Sequence, residues 1–371
     1  MSSLKRFFKL GALASGPKPG VGATPSDVVF GENKWRLLRY RSDRVTHERP
    51  ILLVPSLINR HYVLDLLPGK SFAEWLVARG WDVYCIDWGT PGPEDRYVTF
   101  DDVCDVAIGR AIRRAAKLSG ADKVHLLGYC LGGTLTTIHA AVHHERIASM
   151  CALAAPVRFD ARASAEGGER TTETSLLEEW TRTPTFDVRA IVNATGNVPW
   201  QLMQSAFHML RPTLSLSKAV HVMDRVQRSD ADEADFDEFL DGFHAIETWG
   251  NDNVSFPGEC YVRYVEELYR GDALRKGTFT LAGKPARLEN VTCPLLVVSF
   301  EHDNIVPKEA AIALFALAGS KAKEHLHLPG GHVGAVVSRS ASKRLWPQLD
   351  AFYAKHDAPK RRAVAAKTRS A

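Results

Sequence analysis

Three residues in this sequence have the types and chain order needed for nucleophilic acyl chemistry: Cys130, Asp303 and His332. Cys130 sits in Gly128-Tyr129-Cys130-Leu131-Gly132-Gly133, with a glycine two residues before it and another two after. That spacing lets a chain pass from strand to helix through a strained, tight turn that lifts the middle side chain above a sheet. The nucleophile then lies at a helix N-terminus, whose partial positive charge favours a thiolate. The next backbone N–H, that of Leu131, is expected to help hold an oxyanion. The competing reading is a buried cysteine beside glycines that only pack a helix on a strand. Context separates the two.

The flanking elements supply that context. Lys123–Tyr129 (KVHLLGY) reads as a strand and Thr134–His144 as the helix after it. Around them short apolar runs, each the mark of a strand buried on both faces, alternate with helical patterns. The strands are Ile51–Pro55, Trp81–Trp88, Ser149–Ala155, Pro294–Phe300 and Glu324–Leu328. The helices are Phe72–Arg79, Thr99–Ser119, Lys308–Leu317 and Ser340–Lys355. Such alternation predicts a mainly parallel sheet with helices on both faces. It breaks off after Pro156. Residues 160–290 are polar and rich in Trp, Asp and Glu, and are expected to form an inserted cap over the carboxyl ends of the strands. The expected organisation is a leader (1–45), a core (46–159 and 291–355), the cap (160–290) and a basic tail (356–371).

Nucleophile, acid and histidine follow one another in the order used by the α/β-hydrolase fold, which is the fold class expected here. Asp303 follows the strand PLLVVSF, and His332 follows HLHL in Pro329-Gly330-Gly331-His332. Both fall in loops at the carboxyl ends of late strands, where this fold assembles its site. His302 adjoins Asp303 and is expected to point elsewhere. His143 and His144 lie at a helix end, and His325 and His327 in a strand. Asp87 also ends a strand and is an alternative acid, although it precedes the nucleophile.

Composition narrows the class. The chain has 371 residues, 45% hydrophobic and 24% charged, with a net charge of +4. That is ordinary for a globular protein, not a disordered chain or a disulfide scaffold. The positive charge lies at the two ends, and the body between them is acidic, which does not describe a nucleic-acid-binding domain. Six cysteines are scattered without a CxxC pair, a usage that fits a reducing cytosol. No metal or cofactor motif is read. No apolar run approaches the length of a spanning helix.

Several blocks together resemble the catalytic domain of polyhydroxyalkanoate synthases. Val54–Leu66 (VPSLINRHYVLDL) is similar to the block after the first core strand, and Ile86-Asp87-Trp88-Gly89 and Gly128–Gly133 to the next two. Thr248-Trp249-Gly250-Asn251-Asp252, leading to Phe256-Pro257-Gly258, resembles the insertion motif. Glu301-His302-Asp303-Asn304-Ile305-Val306-Pro307 and Gly330-Gly331-His332 complete the set. The family usually has histidine where this chain has Asn304.

The resemblance implies Cys130 as nucleophile, His332 as its base and Asp303 as third member. It implies 3-hydroxyacyl-CoA as substrate, short-chain by subgroup, and a growing polyester as product. Only about fifty residues precede the matched block, which resembles the shorter catalytic subunit of two-subunit synthases. A second synthase subunit, a homodimer or hetero-oligomer, and a cytoplasmic place at polyester granules are therefore expected. Backbone N–H groups of Leu131 and Ile58 are the expected oxyanion donors. Asp303 has two candidate roles, orienting His332 or helping it activate the attacking 3-hydroxyl. A thiol-dependent esterase or polyester depolymerase on the same fold, and a non-catalytic granule scaffold, are the alternatives.

Overall fold

The computed structural model describes residues 3–13, 20–159, 176–210, 214–227 and 233–357. Its main sheet has eight strands: β1 Ser26–Glu32, β2 Trp35–Tyr40, β3 Ile51–Val54, β4 Val83–Asp87, β5 Val124–Tyr129, β6 Ile147–Leu153, β7 Leu295–Phe300 and β8 Lys323–Leu328. Their spatial order is β1-β2-β4-β3-β5-β6-β7-β8. β2 runs antiparallel to β1 and β4, and the other pairs are parallel.

The central strands are apolar throughout because helices cover both faces. Every residue of β3, β5, β6 and β7 is buried. The two sides of the sheet carry two large apolar clusters, one containing Leu52, Leu126 and Val297, the other Leu53, Leu127 and Val298. Helix Leu131–Ala140, entered directly from β5, is buried on every side. Its residues are apolar or small accordingly except His139; the threonine hydroxyls donate to backbone carbonyls, and His139 Nδ1 lies 2.7 Å from the Cys104 carbonyl.

Residues 26–40 correct the expected leader: they are a hairpin at the edge of the sheet, β1 and β2. An edge strand is solvated on one side, so β1 lacks the continuous apolar run that marks the inner strands. The helix expected over Thr99–Ser119 is a π-helical stretch, Asp101–Ala107, running into an α-helix, Ile108–Ser119. Gly120 ends it in the left-handed region at φ 70°.

Between β6 and β7 the chain leaves the sheet. The described part of this segment includes helices Val188–Thr195, Trp200–Leu210, Leu214–Gln227 and Glu233–Asn251. The last is held to the loop after β3 by long-range polar contacts. Trp249 Nε1–H donates to the Arg60 carbonyl at 3.0 Å. Asp252 accepts from Arg60 Nε at 3.0 Å and from Tyr62 Oη at 2.7 Å. Helix Ser3–Leu13 packs on the last two of these helices, joining a small apolar cluster of Val222, Val226, Phe236 and Leu240 that is separate from both large ones. Apart from its first two residues, the basic tail lies outside the described residues. Among the described residues no helix is long and apolar enough to cross a membrane.

Candidate active site

The site starts at the junction of β5 and helix Leu131–Ala140. Cys130 occupies it with φ 55° and ψ −129°, a conformation that side chains rarely adopt. The surrounding backbone enforces the turn. Cys130 N–H donates to the Leu153 carbonyl at 3.0 Å, and the Cys130 carbonyl accepts from Gly133 at 2.9 Å. A Cβ at Gly132 would overlap the Val54 and Pro55 carbonyls, and one at Gly128 would overlap Thr136 and Gly133. The glycines are there because two backbones meet at that point. Leu131 opens the helix, so its N–H is among the first-turn donors without an intrahelical acceptor.

His332 and Asp303 meet over the carboxyl ends of β7 and β8. His332 Nδ1 lies 2.7 Å from Asp303 Oδ2, with both side chains buried. The other carboxylate oxygen, Oδ1, accepts from the backbone N–H of Ile305 at 2.9 Å and of Val306 at 2.8 Å. Those two bonds fix the carboxylate, and the carboxylate fixes the ring. Tyr129 steadies it from below, stacking on it at 5.3 Å between ring centres and donating from Oη to the His332 carbonyl at 3.2 Å. Burial works against the imidazolium, but the Asp303 carboxylate and the Cys130 sulfur outweigh it. The His332 pKa is held well above its ordinary value.

The other sequence candidates separate cleanly. Asp87 pairs with His61, at 3.3 Å, and accepts from Gly89 N–H at 3.0 Å, so it belongs to another cluster. Burial opposes ionisation of Asp87, yet these partners lower its pKa. His143 pairs with Asp105 at 2.6 Å, and His325 and His327 both reach Ser299 Oγ at 2.9 Å. His302 is exposed beside the site. Five of the six cysteines are buried, and burial pushes their thiols up, Cys293 to about 12. Cys130 alone is partly accessible. Ile58 is buried, and its N–H faces Ser56 Oγ at 3.5 Å.

Cys130 and His332 open into a cavity of about 920 Å³, walled by the cap and by helix Ser3–Leu13. Asn59, Gln204 and Asn251 give it a polar wall, and Leu10, Val222, Met223 and Phe243 an apolar one. Sequence reasoning noted the Trp249–Asp252 motif but not these lining roles. Nor did it find Leu10. Both depend on contacts between segments far apart in the chain, which no local pattern records. Chemically, the arrangement sets a partly accessible thiol beside a buried imidazole that a carboxylate holds in place to accept a proton.

Comparison with known proteins agrees with this fold. A family model for the alpha/beta hydrolase fold matches residues 49–337, and one for the poly-beta-hydroxybutyrate polymerase (PhaC) N-terminus matches residues 16–76. The poly(3-hydroxyalkanoate) polymerase subunit PhaC of Haloferax mediterranei is 34% identical, over 90% of this chain and 64% of that one. The subunit of the same name from Allochromatium vinosum is 31% identical, over 88% of each chain. The chain thus spans just under two thirds of the first relative and most of the second. Among solved structures, a hydrolase from Pseudomonas aeruginosa superposes with a TM-score of 0.52 at 14% identity, covering 90% of this chain and 99% of that one. A thermophilic esterase from Thermogutta terrifontis gives 0.51 at 17%, covering 89% and 97%. These two likenesses speak for the fold alone. The chain belongs to the PhaC family of poly(3-hydroxyalkanoate) polymerase subunits, built on the alpha/beta hydrolase fold.

Proposed function

We propose that this protein is the catalytic subunit of a polyhydroxyalkanoate synthase, an acyltransferase that polymerises 3-hydroxyacyl-CoA, such as 3-hydroxybutyryl-CoA, with release of CoA. The observation that carries the reading is the partly accessible thiol of Cys130 on its strained turn, electrostatically coupled to the buried His332–Asp303 pair. Cys130 Sγ attacks the thioester carbonyl, and His332 takes the thiol proton and returns it to the departing CoA sulfur. Leu131 N–H, with a second donor in the Ile58 loop, holds the oxyanion. One thioester replaces another at nearly equal energy, so the acyl group stays activated for the next step. The 3-hydroxyl of a second, CoA-bound unit then attacks the Cys130 thioester and loses its proton to His332. The C–S bond breaks, Cys130 Sγ leaves and takes that proton back, and the lengthened acyl-CoA reloads Cys130 with release of CoA. Enclosure by the cap limits the access of water, the competing nucleophile, to the thioester. Asp303 supports both half-reactions by holding the ring. A second synthase subunit and a polyester granule surface are the partners this reading assigns.

The test is purified protein given 3-hydroxybutyryl-CoA, with and without the partner chain, following free CoA and insoluble polymer. Polymer with CoA release is expected, and Cys130→Ala should abolish both. Release of free 3-hydroxyacid in place of polymer would instead identify a thiol-dependent hydrolase.

A further inference from the structure

The apolar wall of the Cys130 cavity does not stop at its rim. Leu10, on helix Ser3–Leu13, and Met223, on helix Leu214–Gln227, both line it. Each has an exposed apolar neighbour three residues earlier on the same helix face: Phe7, 55% exposed, and Val220, 61% exposed. The two helices pack on each other, so both exposed apolar residues belong to neighbouring elements at the cavity. Arg6, buried with its guanidinium over the Phe236 ring, and Lys9, paired with Glu233 at 3.0 Å and Asp237 at 2.6 Å, pin the first helix in place. Large exposed apolar side chains that continue a cavity wall mark a binding surface more often than a solvated face.

We propose that this strip, Phe7–Leu10 beside Val220–Met223, is the track along which the polyester chain leaves the Cys130 cavity. The inference rests on the polymerase reading above. A polyester of hydroxyacids has alkyl groups and ester carbonyls but no hydrogen-bond donor along its length, so a surface free of polar demands suits it. A CoA thioester carries amides and phosphates and suits the amide-bearing wall of Asn59 and Asn251 instead. The cavity thus has chemically distinct walls, one for the donor and one for the product.

The test compares alkylation of Cys130 by N-dodecylmaleimide and N-ethylmaleimide, read by mass spectrometry on the Cys130 peptide, and needs no polymerisation. The native protein should favour the dodecyl reagent, because its chain lies along the strip. Phe7→Lys/Val220→Lys should cut that preference about tenfold, and the uncharged Phe7→Ser/Val220→Ser about threefold. Leu118→Lys, an exposed position on the distant helix Ile108–Ser119, should leave it unchanged. The Lys pair should also shorten the polymer made from 3-hydroxybutyryl-CoA. An unchanged preference in both double variants, or an equal fall in Leu118→Lys, overturns the track. If native protein makes no polymer, the function fails and the polyester occupant with it, whereas a preference lost only in the strip variants still assigns the strip to an apolar chain.

Discussion

Asp303→Asn tests how the buried acid works, and the hydrogen bonds around it fix the expected result. The carboxylate accepts two backbone N–H bonds on Oδ1, at 2.9 and 2.8 Å, and one His332 contact on Oδ2, at 2.7 Å. An amide has a single oxygen. Turning it toward Ile305 and Val306 keeps two acceptor bonds and sacrifices one, so the oxygen stays there and the NH2 group faces His332 Nδ1. Nδ1 must then accept, which puts the ring proton on Nε2, and His332 can no longer take the Cys130 proton. The charge that raises the His332 pKa is lost at the same time, while the opposing burial remains. Loss of one charge-assisted bond is worth about 1.5–3 kcal/mol, or about 10- to 150-fold in rate. The assay is the pH profile of Cys130 alkylation by iodoacetamide. In the native protein Cys130 should react readily near neutral pH, with His332 there to take its proton. In Asp303→Asn its reactivity should fall by that factor near neutral pH, giving a profile displaced from the native one. A profile superimposable on the native one would refute the claim that Asp303 sets the charge and tautomer of His332.

Further expectations concern the framework. Cys130→Gly relieves the backbone at φ 55°, so by urea denaturation it should be more stable than Cys130→Ala by about 1 kcal/mol. Equal stabilities would mean that the turn holds no strain. Gly132→Ala drives a Cβ into the Val54 and Pro55 carbonyls, and should lower stability by more than about 2 kcal/mol with a matching fall in melting temperature. Asp357 accepts from the Glu48 and Arg49 backbone at 3.0 and 3.2 Å and faces His47 and His125. Burial would raise its pKa, but the His125, His47 and Glu48 contacts outweigh it and hold the pKa well below the ordinary range. A depressed carboxylate stabilises the fold above its unfolded value, about 3.9, and loses that contribution as pH falls. Asp357→Asn should therefore cost about 1–3 kcal/mol near neutral pH and flatten the acid limb of a stability–pH curve; a parallel curve would contradict it.

Much of the candidate site was legible because each of its three residues follows a recognisable element. The run KVHLLGY before Cys130 and PLLVVSF before Asp303 are strands buried on both faces, so local composition alone marks them. His332 follows a weaker edge strand, whose half-buried pattern still left its glycine-flanked loop readable. The hairpin over 26–40 was not legible: Ser26–Glu32 borders the sheet, carries only the three-residue apolar run Val28–Phe30 and follows a glycine- and proline-rich stretch. Nor was the anchoring of Trp249 and Asp252 on Arg60 and Tyr62, which joins residues about 190 positions apart. Leu10 reaches the cavity from the far N-terminal end for the same reason. Tertiary packing, not propensity, decides such placements.

The central claim is that the acyl chain grows on Cys130. The most direct measurement is mass analysis of the Cys130 peptide after brief exposure of the protein, with its partner chain, to 3-hydroxybutyryl-CoA and acid quench. The account predicts hydroxybutyryl increments on the Cys130 sulfur, absent in Cys130→Ala and slowed in Asp303→Asn. Turnover with an unmodified Cys130, or increments carried by another residue, would contradict it.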